Sequence, residues 1–300
     1  MPEPQATPGT RAASATLIGM ALWVAATICE TVMVGCVRVV SHDLHPLQVV
    51  FLRMFCGLLV LAPWFVRLGT QGLRTTVFPL HALRAGLQIL AMVLWFASVP
   101  LVILADVAAL SFLAPLFATA GAMLLLGERV GWRRGLALLV GFGGVLVIVR
   151  PGSGFNIGWG LLIGAAAFWA AALLVIKRMA RSETSPTMTA WATLLIAPVL
   201  LIPAVFVWRD PSWAQWGLMM IAGLAGTSTH LLMGQAFRHA EASAVLPMDF
   251  SRMIWITLLG YLLFDETPTW HVWVGAALIF AAATYVTLRE ARLAAASAKS

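Results

Sequence analysis

The feature that most constrains this chain is a succession of ten long apolar segments joined by short polar connections. A membrane-spanning helix needs about 20 mainly apolar residues, and each segment has close to that length. Divided at proline, glycine and charged clusters, the segments cover residues 14–39, 46–66, 79–99, 102–126, 132–149, 156–177, 187–207, 213–237, 243–264 and 269–288. We therefore predict ten transmembrane helices.

The composition leads to the same class of protein. Only 10% of the residues are charged and 61% are hydrophobic, with a mean hydropathy of +0.92. A soluble domain carries about 25% charged residues, so this chain has too little charge to cover a water-facing surface. Lipid requires the backbone to satisfy its own hydrogen bonds, and no segment alternates as a strand would. The prediction is an all-α integral membrane protein.

Lysine and arginine are distributed unevenly between the two sides of this predicted bundle. Thirteen fall on the side of the termini, three fall on the other side, and three lie within the helices. By the positive-inside rule both termini are cytoplasmic, in a multi-pass protein of a bacterial-type inner membrane. The net charge of +7 is explained by these orientation signals, so we predict no nucleic-acid partner.

The chain also contains an internal repeat. The stretch LLLGERVGW at 124–132 returns as YLLFDETPTW at 261–270, which aligns Glu128 with Glu266. Further matches occur at nearly the same offset, and they align Arg38, Pro46 and Pro63 with Arg178, Pro186 and Pro203. One unit of about half the chain is therefore used twice.

Five helices per repeat is an odd number, so the second copy enters the membrane upside down. Inverted repeats of this kind are common in secondary transporters, whose substrate site lies near the midplane between the halves. The predicted organisation is a disordered cytoplasmic tail over 1–13, a first repeat over 14–150, a linker over 151–155, a second repeat over 156–290, and a cytoplasmic tail over 291–300.

These motifs resemble those of the drug/metabolite transporter superfamily, specifically its ten-helix EamA-type members. The resemblance covers Leu17 to Leu288 and includes the Gly/Ala-rich helices GLALLVGFGGVLVIV and VGAALIFAAATYV that follow the two acidic motifs. The chain departs from the pattern at Met253, which stands where the first repeat has Pro115. Any role shared by that proline is therefore in doubt.

The resemblance implies a secondary or facilitative transporter that works by alternating access. We expect export of small organic solutes, above all amino acids including aromatic ones, as in YddG-like amino-acid exporters. Nucleosides or cationic drugs are the alternative solutes, and a non-transporting structural or receptor-like membrane protein is the alternative class. No reactive constellation, metal-ligand spacing or nucleotide motif is visible, so we predict no enzyme activity, no cofactor and no metal. We expect a monomer, with a proton as the candidate coupling ion.

Ionisable residues within membrane helices are costly and are candidates for function. Glu30 and Arg53 lie at one depth on adjacent helices, so an ion pair between them is geometrically allowed. Asp249 and Arg252 are three residues apart and share a helix face. Each pair either stabilises helix packing or faces a cavity, where it would bind the charged groups of a solute.

The remaining candidates are a histidine and four tryptophans. His230 is either a hydrogen-bonded packing residue or a group that titrates near neutral pH. Four tryptophans lie deep within predicted spans, namely Trp95, Trp169, Trp191 and Trp255. They either pack in the core or against lipid, or they line a wet cavity that accepts the indole N–H and stacks against a flat solute.

Overall fold

The fold is helical throughout the part of the chain that this computed structural model describes, which comprises residues 8–68, 75–126, 132–150, 156–179, 182–183, 185–239, 248–249 and 251–297. Its helices are α1 (Pro8–Val40), α2 (Pro46–Leu68), α3 (Phe78–Ser98), α4 (Leu104–Ser111), α5 (Leu113–Leu126), α6 (Trp132–Val149), α7 (Ile157–Met179), α8 (Ser185–Phe206), α9 (Trp213–His239), α10 (Ser251–Phe264) and α11 (Trp270–Ser297). Helices α4 and α5 form one span, which confirms the ten predicted spans.

The ends of the chain differ from the prediction. Helix α1 already begins at Pro8, so residues 8–13 are helical rather than disordered, and α11 continues to Ser297, into the predicted C-terminal tail. Proline is well accepted in the first turn of a helix, and the alanine, leucine and arginine of the last stretch are strong helix formers. Residues 1–7, the linker 151–155, Glu128 and residues 243–247 of the ninth predicted span lie outside the described residues.

The fourth predicted span, 102–126, is broken at Phe112. The Phe112 N–H bonds to the carbonyl of Ala109 at 3.3 Å, three residues back, where the α-helical partner would be four residues back. Pro115 has no N–H to offer the carbonyl of Ser111, so the α-helical ladder is interrupted at this turn. The break turns Ser111 and Phe112 toward the middle of the bundle.

The helix contacts have the symmetry of two inverted repeats. The most extensive ones join α1 to α9 and α3 to α7. In the repeat, α1 corresponds to α7 and α3 to α9, so exchanging the halves converts the first contact into the second. The last helices of the repeats, α6 and α11, pack against each other and map onto one another. This pattern is that of a two-fold axis lying in the membrane plane.

The outside of the bundle is apolar. Three stretches of the described chain are by themselves long and apolar enough to cross a membrane, namely Thr16–Val40, Phe78–Ser98 and Ile157–Ile176, and shorter apolar helices fill other spans. On the outer surface, Leu139 is 71% exposed and Leu263 is 65% exposed. An apolar surface of this extent is suited to contact with lipid rather than water.

Glycine lets α6 and α11 touch through their backbones. A Cβ atom built on Gly144 would lie 2.7 Å from the carbonyl oxygen of Gly275, and one built on Gly275 would lie 2.6 Å from that of Gly144. A Cβ atom built on the neighbouring Gly143 would meet no other atom within 4 Å. Small residues at such a crossing permit the close packing that holds helices together in lipid.

We therefore predict that Gly144→Val destabilises the protein, because the added methyl groups would meet the α11 backbone. Overpacking of this kind costs about 1–3 kcal/mol, which a thermal melt followed by size-exclusion chromatography in detergent will register as a lower Tm. Gly143→Val, on the same helix, is the matched control. Equal melting temperatures for the two variants would contradict the assigned crossing.

Candidate functional site

A cavity of about 390 Å³ lies in the middle of the bundle and is lined by both repeats. Its volume is within the range of small-molecule binding sites. The lining residues are Trp23, Glu30, Met33, Arg53, Gln88, Ala91, Met92, Trp95, Phe96, Ser111, Phe112, Ala114, Leu162, Ala165, Ala166, Trp169, Gly226, Thr229, His230, Met233, Asp249 and Arg252.

Arg252 is the centre of a charged cluster in the cavity wall. Its Nη1 donates to Glu30 Oε1 at 3.1 Å, and its Nη2 donates to Asp249 Oδ2 at 3.0 Å. The guanidinium also lies over the ring of Phe112, with its Cζ 4.7 Å from the ring centroid. The predicted Asp249–Arg252 pair is confirmed, and both carboxylates share one cation.

Further hydrogen bonds fix this cluster to α1. The indole N–H of Trp23 donates to Asp249 Oδ1 at 3.2 Å. One helical turn further on, the hydroxyls of Thr27 and Ser251 lie 2.9 Å apart. The start of α10 is therefore held against α1, so the charges are presented by a rigid wall.

Arg53 is not paired with Glu30, although the sequence allows an ion pair between them. Glu30 is bound to Arg252 instead, because α10 brings that guanidinium closer than α2 brings Arg53. Among the described residues, Arg53 Nη1 donates to the Met54 sulfur at 2.9 Å, a weak acceptor. Among the described residues no carboxylate lies within ion-pair distance of Arg53, and its Nε is buried without a partner.

Gly226 on α9 leaves room for the Arg53 guanidinium because it has no side chain. A Cβ atom on Gly226 would lie 2.4 Å from Arg53 Nη2 and 3.0 Å from its Cζ. The guanidinium therefore lies directly on the α9 backbone, and it faces the cavity with unused donors. His230, one turn along α9, lines the same cavity and is exposed there.

Aromatic rings form the other wall. The Trp95 indole N–H donates to Ser111 Oγ at 3.3 Å, which orients the ring. Phe96 packs edge-on against Trp95, with ring centroids 5.1 Å apart. Trp169 on α7 contributes a second indole to the lining. Rings held in this way offer flat faces to a flat solute.

Of the nine candidates from sequence, the structure brings seven together around the cavity: Glu30, Arg53, Trp95, Trp169, His230, Asp249 and Arg252. Trp191 lies elsewhere, where its ring packs against Phe78 and His81 at centroid distances of 5.3 and 5.9 Å. Trp255 is also absent from the lining. Phe78 and His81 belong to the first turn of α3, so Trp191 lies near one end of that helix, away from the cavity.

Sequence reasoning missed several lining residues, notably Trp23, Gln88, Ser111, Phe112 and Thr229. The sequence-based candidates were charged groups, one histidine and four tryptophans, and they included no neutral polar side chains. The available signal was an amide or hydroxyl inside an apolar segment, as at Gln88 and Thr229. Phe112 enters the cavity only because the fourth span breaks there.

Beyond one end of the cavity a second charged cluster joins the repeats. Arg38 Nη2 donates to Glu266 Oε1 at 2.8 Å, and Glu266 Oε2 accepts the backbone N–H of Leu104 at 2.6 Å. Arg38 Nη1 also donates to the carbonyls of Val99 and Val102. We call this group the Arg38 latch. Arg38 lies about 7.5 Å along α1 from the cavity residue Met33, so the latch joins the repeats just beyond this end of the cavity.

The repeat equivalent of the Arg38 latch lies only partly within the described residues. Arg178, which aligns with Arg38, has an exposed side chain and makes no ion pair within the described chain. Glu128, which aligns with Glu266, lies outside the described residues, so the comparison of the two ends covers the arginines alone.

A central cavity between inverted helical repeats is the architecture of a membrane transporter. The chain belongs to the EamA-like transporter family, whose sequence pattern matches residues 17–150 and again residues 156–288. This confirms the predicted family and fold, and it makes the protein a transporter of small solutes rather than an enzyme.

Named relatives cover most of the chain. A riboflavin transporter of Vibrio cholerae is 33% identical over 84% of this chain and 86% of its own length. An S-adenosylmethionine uptake transporter of Rickettsia prowazekii is 28% identical over 82% of this chain and 84% of its own length. These names do not support amino-acid export specifically.

A protein of known crystal structure has the same fold. It superposes on this chain with a TM-score of 0.61 and covers 92% of this chain and 98% of its own, at 19% sequence identity. At that identity the likeness concerns the fold alone.

We predict that Arg38→Gln opens the latch end. Losing a charge-assisted hydrogen bond, worth about 1.5–3 kcal/mol, shifts the balance between closed and open states by roughly tenfold or more. The measurement is labelling of a cysteine at Ala165 by a membrane-impermeant thiol reagent applied from the latch side, with Cys29, Cys36 and Cys56 replaced.

Arg209→Gln is the control, since Arg209 is an exposed arginine at the same end of the bundle. It should leave the labelling rate unchanged. Equal labelling in the Arg38→Gln and Arg209→Gln proteins would mean that something other than the latch closes this end.

Proposed function

We propose that this protein transports a flat heteroaromatic metabolite of the riboflavin kind by alternating access between the two repeats. The observation that carries the proposal is the cavity itself, which combines an aromatic wall containing Trp95 and Trp169 with the unpaired guanidinium of Arg53. The similarity to riboflavin transporters supports the same class of solute.

The charges of the cavity favour a solute with little net charge. Two carboxylates and two guanidinium groups line it, so their formal charges cancel. Three of the four are already joined in the Arg252 cluster. Arg53 remains to donate hydrogen bonds, and carbonyl or hydroxyl oxygens on a neutral heterocycle would accept them.

Amino-acid export is the second candidate, and the opposite charges in one cavity favour it. Arg53 would bind the α-carboxylate, and Glu30 would bind the α-ammonium group through the oxygen that Arg252 does not use. Aromatic amino acids would add stacking on Trp95. Alternating access runs in either direction, so the solute gradient and any coupled ion set the direction of net flux.

The arrangement in the membrane completes the proposal. The excess of arginine and lysine on the side of the bundle that carries the termini supports a cytoplasmic location of both termini, and the latch would then face the other side of an inner membrane. The two repeats of one chain both line the cavity, and we propose a monomer as the transporting unit.

The aromatic wall should contribute to riboflavin binding. Stacking of a flat base on an aromatic side chain is worth about 1–3 kcal/mol, so Trp95→Leu or Trp169→Leu should weaken riboflavin binding by roughly 5- to 100-fold. Quenching of riboflavin fluorescence by the purified protein reports Kd, and counterflow of labelled riboflavin in liposomes reports transport.

Trp191→Leu is the control, because Trp191 is a tryptophan of a membrane helix that lies outside the cavity lining. It should bind riboflavin as the unchanged protein does. If riboflavin neither binds nor moves while labelled aromatic amino acids exchange, the second candidate replaces the first. If neither solute class binds, the proposal fails.

Solute transport should be coupled to proton movement. We propose a proton as the coupling ion and Glu30 as its carrier, since this carboxylate lines the cavity and contacts Arg252. Riboflavin flux should then change with an imposed pH gradient, and Glu30→Gln should remove that dependence. Asp210→Asn, at an exposed carboxylate, should retain it. Flux that is independent of the gradient in the unchanged protein would exclude proton coupling.

A further inference from the structure

Gln88 is a polar residue of α3 that the charged clusters do not use. It lines the central cavity, and its Oε1 is buried without a hydrogen-bond partner. None of the described residues hydrogen bonds to either end of this amide. Leaving a buried amide unbonded costs about 1–3 kcal/mol, so a partner supplied by a bound solute would recover that energy.

The neighbours of Gln88 define what such a solute would contact. Ala91, Met92 and Trp95 follow on the same helix at spacings of three, four and seven residues, and all four line the cavity. Residues at these spacings share one helix face. The amide therefore lies along the apolar and aromatic wall, at the edge of the surface on which a flat ring would stack.

Arg53 complements the amide from the adjacent helix α2, which packs against α3. Its guanidinium supplies donors only, and its hydrogen bond to the Met54 sulfur leaves most of them unused. The Gln88 amide supplies one acceptor and two donors in a single plane. Together the two side chains offer donor, acceptor and donor groups in the same cavity.

This set matches one edge of a cyclic imide, in which an N–H stands between two carbonyl groups. We propose that Gln88 and Arg53 recognise the imide edge of the transported heterocycle. The Gln88 carbonyl accepts the imide N–H, its NH₂ donates to one flanking carbonyl, and Arg53 donates to the other. Gln88 is then a specificity-determining residue, and it selects rings with an unsubstituted imide nitrogen.

The inference rests on the proposed transport of a riboflavin-like ring, whose pyrimidine edge is such an imide. It adds which edge of the ring is read and by which side chains. Stacking alone would bind any flat ring, since every aromatic solute has a π face. Selection at the imide nitrogen therefore distinguishes recognition of the imide edge from transport of a flat ring in general.

The experiment compares riboflavin with 3-methylriboflavin, in which a methyl group replaces the imide hydrogen. Binding of each is measured by fluorescence quenching with the full-length protein in detergent or nanodiscs. The unchanged protein should bind the methylated flavin roughly 10- to 100-fold more weakly, as expected for losing paired hydrogen bonds in a desolvated site.

Gln88→Leu should abolish this discrimination, so that both flavins bind with Kd values within about twofold of each other. Met92→Leu is the matched control, since Met92 lines the cavity one turn away without a polar group. It should keep the full discrimination. Gln88→Asn, which retains an amide but shortens its reach, should also lose it and provides a second variant should Gln88→Leu fail to fold.

The outcomes separate the two proposals. If the unchanged protein binds both flavins equally well, the reading of the imide edge is wrong and the proposed function stands. If it discriminates but Gln88→Leu discriminates equally, another group reads the edge and the inference fails. If neither flavin binds, the proposed function fails, and the inference fails with it.

Discussion

The structure depends most on how it neutralises charge inside a membrane. Arg252 lies between Glu30 and Asp249 at 3.1 and 3.0 Å, and these bonds tie the second repeat to α1 of the first. A charged group in lipid is tolerated when it is paired or faces water. Pairing three of the four cavity charges with one another stabilises the wall, and it leaves Arg53 with donors for a solute.

The same chemistry recurs at a second level, where Arg38 and Glu266 join the repeats beyond the cavity. Both clusters bridge the halves, so motion of one repeat against the other must change at least one of them. The α6–α11 crossing is different in kind, because backbone contact at Gly144 and Gly275 involves no charge. It lies on the pseudo-two-fold axis, and it can remain packed while the ends of the bundle rearrange.

The candidate site was partly predictable. Depth in the membrane follows from counting residues along each span, and this brought seven of nine candidates to the cavity. The direction in which a side chain points does not follow from depth. Trp191 and Trp255 lie within predicted spans but do not line the cavity. The sequence allowed a Glu30–Arg53 pair, whereas Glu30 binds Arg252. Gln88 was passed over because a neutral amide stands out less than a charge.

The sequence by itself determined the class of protein, its ten spans, the repeat and the family. A spanning helix must be about 20 residues long and mainly apolar, so spans can be identified directly from segment length and hydropathy. Only the tertiary structure decided which charges pair and which rings line the cavity. A helix turns by about 100° per residue, and in this bundle both the lipid-facing and the cavity-facing sides are largely apolar. Hydropathy therefore says little about how each helix is rotated about its axis, and packing against neighbouring helices determines that rotation.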